Sequence, residues 1–118
     1  MEVVALAKMN LNFKILNKVK HIFKNVKEIV LSNNRCNDFA NLQCKDDVFS
    51  KLEILDLTNN LISDIESMAA WNNFKLKKLN LQNNNIQRLC YSQVLQKLTH
   101  LNIMENQIAQ KDILFDLA

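Results

Sequence analysis

Apolar and polar positions alternate along this chain in a short pattern that is clearest at residues 52–62, LEILDLTNNLI. Leu55 and Leu57 alternate with Ile54 and Asp56, the period of a short strand that turns its leucines to one face. Leu52 and Ile62 close the same layer from either side, and Asn60 is the polar residue that turns the chain. The set recurs as Val26, Ile29, Leu31, Asn34 and Cys36, as Leu76, Leu79, Leu81, Asn84 and Ile86, and as Leu98, Leu101, Ile103, Asn106 and Ile108. Asparagine therefore falls at the same offset in every copy. Its amide can bond backbone groups that a turning chain leaves unpaired, and stacked copies can line these amides into a ladder.

The spacing Leu-x-x-Leu-x-Leu-x-x-Asn-x-Leu, restarting near 26, 52, 76 and 98, is that of a leucine-rich repeat, whose units run to about 20–29 residues. The expected fold is α/β: a solenoid of four repeats with a short parallel sheet on its concave face. Strands are expected to include residues 29–31, 54–57, 78–81 and 100–103. From Leu11 onward Ile15, Leu16, Val19, Ile22, Phe23 and Val26 recur at three- and four-residue intervals, which predicts a helix over 11–25. Such a helix would cap the first repeat, because a solenoid's terminal repeat leaves an apolar edge open to water. Between strands the returning segments bring Phe39, Leu42, Val48 and Phe49, then Ile65, Met68, Trp71 and Phe74, then Leu89, Val94 and Leu95 to the core. A short helical turn is expected after Ser63, with Ile65, Met68 and Ala69 on one side. Residues 109–118 hold Ile113, Leu114, Phe115 and Leu117, too apolar for solvent, and are expected to fold over the last repeat. Residues 1–118 thus read as a single domain, and the apolar tail also suits a piece of a larger protein.

Glycine and proline are both absent, although ordinary usage supplies several of each. The turns must be made by something else, and asparagine, present eighteen times, tolerates left-handed backbone better than other non-glycine residues. Cys36, Cys44 and Cys90 lack the pair spacing of metal ligands, and no Asn-x-Ser/Thr acceptor site is present, which together suggest a reducing compartment. Cys36 fills a repeat position held elsewhere by isoleucine, as a small buried apolar side chain would. No apolar run reaches membrane-spanning length and no signal peptide is recognisable, so a soluble intracellular protein without membrane contact is expected.

The net charge of +3 is unevenly distributed. Residues 1–27 carry six lysines against Glu2, a net +5, and the rest carries −2. Attraction to a polyanion is therefore expected at the N-terminal end, with Lys14, Lys18, Lys20 and Lys24 as a phosphate-facing patch for weak, sequence-independent RNA contact. The outward positions of the strands give a second candidate surface, a concave strip for protein binding. It consists of Glu28, Val30 and Ser32; Ile54, Asp56 and Thr58; Lys78, Asn80 and Gln82; and His100, Asn102 and Met104. This strip offers no nucleophile with a base and no paired carboxylates, and a chain without glycine has no glycine-rich phosphate loop. No catalytic residue, metal ligand or cofactor is expected, and the protein reads as a non-enzyme.

A helix running up to VKEIVLSNNR (26–35), a long first return, KLEILDLTNN (51–60) and the one-residue-shorter FKLKKLNLQNNNI (74–86) resemble the leucine-rich repeat domain of the nuclear RNA export factor family. The resemblance spans most of residues 11–108. It implies a nuclear protein, shuttling to the cytoplasm, in which an RNA-recognition domain precedes the repeats and a nuclear transport factor 2-like domain follows them. It also implies RNA and protein adaptors as partners and mRNA export as the process. The fourth repeat, HLNIMENQI (100–108), lacks the Leu-Asp-Gly turn that the resemblance implies, which leaves room for a diverged paralogue of the kind redirected from export to small-RNA-guided nuclear silencing of transposons. The alternative is a repeat domain of a splicing or chromatin factor that binds proteins alone.

Overall fold

The structure is a computed structural model that describes residues 2–42, 48–66, 68, 75–87, 89–90, 93–108 and 113–114. Five short strands form one parallel sheet in the order β1 (Val3–Ala5), β2 (Glu28–Val30), β3 (Ile54–Asp56), β4 (Lys78–Asn80) and β6 (His100–Asn102). Ile29, Leu55, Leu79 and Leu101 stand side by side across the four repeat strands. The fold is a leucine-rich repeat solenoid. Its strands sit one residue earlier or end one residue sooner than the leucine pattern alone suggests.

The first strand is the main departure from the sequence reading. β1 pairs in register with β2, Val4 against Ile29, and Leu6 N–H donates to Val30 O at 2.8 Å. A fifth, degenerate repeat therefore opens the solenoid, with Val4, Leu6 and Leu11 in the apolar positions and Met9 where the others carry asparagine. The predicted capping helix over 11–25 is correspondingly a return segment between two strands and not the end of the stack. It is also broken. α1 covers only Phe13–Lys18, capped by the Asn12 side chain, which accepts from Ile15 N. A separate 3-10 helix follows at Lys20–Phe23.

The inward face is also not the one the pattern suggested. Ile15, Val19 and Ile22 are 45%, 39% and 42% exposed, whereas Phe13, Leu16 and Phe23 are buried. Phe13 stacks on Phe39 with ring centroids 4.9 Å apart, and Phe23 on Phe49 at 5.5 Å. Aromatic contacts of this kind add to the gain from area burial, and they tie the first two return segments together behind the sheet. Further along, Asp64 accepts from Glu66 N and Met68 N–H donates to Ile65 O, so the helical segment expected after Ser63 begins as a single tight turn that buries Ile65 and Met68.

On the return side of the third repeat, β5 (Leu89–Cys90) pairs in parallel with β7 (Ile113–Leu114), with α2 (Gln93–Gln96) between them. Trp71, Phe74, Ala69, Cys44, and residues 109–112 and 115–118 of the expected C-terminal cap lie outside the described residues. Cys36 is fully buried, and burial pushes its thiol up to about 12, in keeping with a core side chain and not a reactive one.

Two columns of asparagine hold the turns. In the inner column Asn60 Oδ1 accepts from Cys36 N while its Nδ2 donates to the carbonyls of Leu31, Leu57 and Thr58. Asn34, Asn84 and Asn106 repeat the arrangement one unit apart. Each strand-end leucine carbonyl is shared by two successive amides: Leu31 O by Asn34 and Asn60, Leu57 O by Asn60 and Asn84, Leu81 O by Asn84 and Asn106. In the outer column Asn33, Asn59 and Asn83 adopt left-handed backbone, with φ of 58°, 57° and 56°. Glycine is not needed because asparagine supplies the positive φ.

Candidate functional site

The face of the sheet turned away from the core is the candidate site. Because side chains alternate along a strand, Ile29, Leu55 and Leu79 go to the core and are at most 2% exposed, while their neighbours face out. Register aligns these neighbours into rows. The first reads Val3, Glu28, Ile54, Lys78, His100, and the second Ala5, Val30, Asp56, Asn80, Asn102. β1 thus adds Val3 and Ala5 to the strip anticipated from sequence. The signal that could have found them was Val4 and Leu6 at strand spacing ahead of Leu11, obscured because Met9 stands at the asparagine position.

An open groove of about 570 Å³ crosses this face, with Glu28, Val30, Ile54, Asp56, Lys78 and His100 among its lining. Its members are not equally available. Asp56 Oδ1 accepts from the Thr58 backbone N–H at 3.0 Å and from the Thr58 hydroxyl at 2.6 Å. Asn80 and Asn102 likewise accept from Gln82 N and Met104 N, and Asn102 Nδ2 reaches Gln82 Oε1. These side chains close the turn at the end of each strand, a job the sequence reading did not give them. Thr99 Oγ1 donates to Lys77 O at 3.1 Å and lies 3.0 Å from His100 Nδ1.

Charges along the edge where the strands begin are mutually satisfied. Glu2 pairs with Lys27 at 3.6 Å and Glu53 with Lys77 at 3.5 Å. One residue further on, in the groove, Glu28 and Lys78 make neither an ion pair nor a side-chain hydrogen bond among the described residues. Ile54 stands between them and holds the opposite charges apart.

The lysines read as an RNA patch are elsewhere. Lys14 and Lys18 lie one turn apart on α1, and Lys20 and Lys24 at the start and just past the end of the following 3-10 helix. Lys14, Lys18 and Lys24 are exposed and Lys20 is half-buried. All four belong to the return segment between β1 and β2, and none lines the groove.

With the sheet, the asparagine columns and the groove in view, comparison with known families gives a consistent result. A family model for leucine rich repeats (2 copies) matches residues 24–70, and one for a leucine rich repeat matches residues 75–94. No curated protein matches the chain. Leucine-rich repeat domains are generally protein–protein interaction modules and typically lack catalysis of their own. Neither match ties these repeats to the RNA export factors.

Proposed function

We propose that the chain is a non-enzymatic docking module whose open sheet face holds a protein partner. The observation that carries this reading is the groove itself: an apolar middle at Val30 and Ile54, flanked by Glu28 and Lys78, which make no ion pair or side-chain hydrogen bond among the described residues. Apolar area released from water supplies affinity, and charges at its margin supply orientation. A photo-crosslinking side chain placed at Ile54 is expected to yield discrete protein adducts in cells, and the same group at Ile15 on the return face is not. Equal adducts at both positions would remove the sheet face as the docking surface.

A finer reading makes the chain part of a nuclear RNA export factor-like protein that also touches RNA. Lys14, Lys18 and Lys24 favour it, all exposed within a stretch of net +5. Lysine meets phosphate as a point charge, so such binding is weak, indifferent to sequence and strongly salt-dependent. Replacing Lys14, Lys18, Lys20 and Lys24 by glutamine is expected to remove most affinity for single-stranded RNA, measured by fluorescence anisotropy at two salt concentrations. Unchanged binding by the quadruple variant would end this reading and leave the protein-docking one standing.

A further inference from the structure

We infer that the occupant of the groove is an α-helix lying across the strands, with a basic and an acidic residue two turns apart on one face and an apolar residue midway between them. The inference deepens the docking reading above and depends on it. Register places Glu28, Ile54 and Lys78 on three adjacent strands in one row. Neighbouring strands lie about 4.8 Å apart, so the two charges are separated by about 10 Å with the isoleucine midway. A helix advances about 5.4 Å per turn, and residues i, i+3 or i+4, and i+7 share one face. Their span of about 10.5 Å matches the row within about 1 Å. An extended segment repeats its side chains on one face only every 6.6–6.8 Å or so, and over two steps it overshoots the row by nearly 4 Å. The strand spacing therefore favours a helix.

Charge then sets which end of the helix lies over which strand. Its basic group meets Glu28, its apolar group packs on Ile54, and its acidic group meets Lys78, with His100 on the next strand beyond. Val3, 46% exposed beside Glu28, offers a further apolar contact one turn beyond the basic residue, on the side away from Ile54. The contrast with the neighbouring edge is the second support. There Glu2 meets Lys27 and Glu53 meets Lys77 directly, whereas the intervening isoleucine leaves Glu28 and Lys78 to charges from outside.

The test uses the 118-residue chain and a library of helical peptides displayed on yeast, randomised on one face. Against the parent chain, enriched sequences are expected to carry one basic and one acidic residue at i and i+7, in either order, with an aliphatic residue at i+3 or i+4 between them. Against Glu28→Gln the basic preference and against Lys78→Gln the acidic preference is expected to disappear, and each helix selected on the parent is expected to lose about tenfold in affinity at low salt on either variant. Circular dichroism with thermal melting verifies that the variants are folded. Binders that are lost on Ile54→Lys but keep both charge preferences on the glutamine variants overturn the helix register and keep the groove. Binders indifferent to Ile54→Lys, or no binders at all, overturn the register together with the docking face.

Discussion

Asn59 and Asn60 are neighbours in sequence with opposite duties, and their pairing recurs at 33–34 and 83–84. The inner member is buried and used for its side chain: Asn60 is 5% exposed and bonds four backbone groups across two repeats. The outer member is used for its backbone. Asn59 holds φ at 57°, and its side chain merely links Asn33 and Asn83 along the surface, at 2.9 and 2.6 Å. The same amide in adjacent positions is thus irreplaceable chemistry in one and tolerated geometry in the other. A solenoid without glycine needs both.

A core leucine sets the scale for testing this difference. Leu55 is 2% exposed in the middle strand, and Leu55→Ala is expected to cost about 2–5 kcal/mol through the cavity it leaves. Denaturant unfolding measures this, and a loss below about 1 kcal/mol would mean the strand does not face the core. Next comes the inner column. Asn60→Ala removes the partner of Cys36 N–H, but Leu31 O and Leu57 O each keep a second amide from Asn34 and Asn84. The cost is therefore set mainly by one orphaned donor and is expected to be about 1–3 kcal/mol. A variant as stable as the parent would show that the ladder does not hold the turn. The outer column follows. Asn59→Ala puts a residue with no local hydrogen bond into left-handed backbone and is expected to cost about 1 kcal/mol, less than its neighbour. Reversal of that order would exchange the two roles.

How legible these roles were in the sequence depended on periodicity. The leucine and asparagine offsets carry the four repeats because each strand alternates at period two and each turn needs one amide, so every position has a single physical demand. β1 escaped because Met9 replaces the amide; Asn34 compensates from the next repeat by accepting from both Met9 N and Leu11 N. The return segment was misread for a different reason. The apolar stripe was centred on Ile15, Val19 and Ile22, which are exposed, whereas the buried residues Phe13, Leu16 and Phe23 lie on the adjoining stripe, and the helix is broken at Val19, φ −121° and ψ 18°. The groove residues were legible as outward positions of strands. Their unequal availability was not, because the bonds that occupy Asp56, Asn80 and Asn102 follow from turn geometry that appears only once the strand ends are fixed.

The smallest expected effect separates the outer column from its own last member. Glu105 takes the position of Asn33, Asn59 and Asn83 in the fourth repeat with φ of 57°, although glutamate lacks the short amide that eases left-handed backbone. Holding an ordinary side chain there costs about 1–2 kcal/mol. Glu105→Gly releases that strain but also loosens the unfolded chain, which returns about 0.5–1 kcal/mol. A net gain of up to about 1 kcal/mol is expected in denaturant unfolding. At position 59 the arithmetic turns over. Asparagine already tolerates the conformation, and Asn59→Gly gives up two side-chain links and adds unfolded-state freedom, so no gain or a slight loss is expected. Stabilisation at both positions would mean that the asparagines are strained as the glutamate is, and that the outer column is a compromise forced by the absence of glycine.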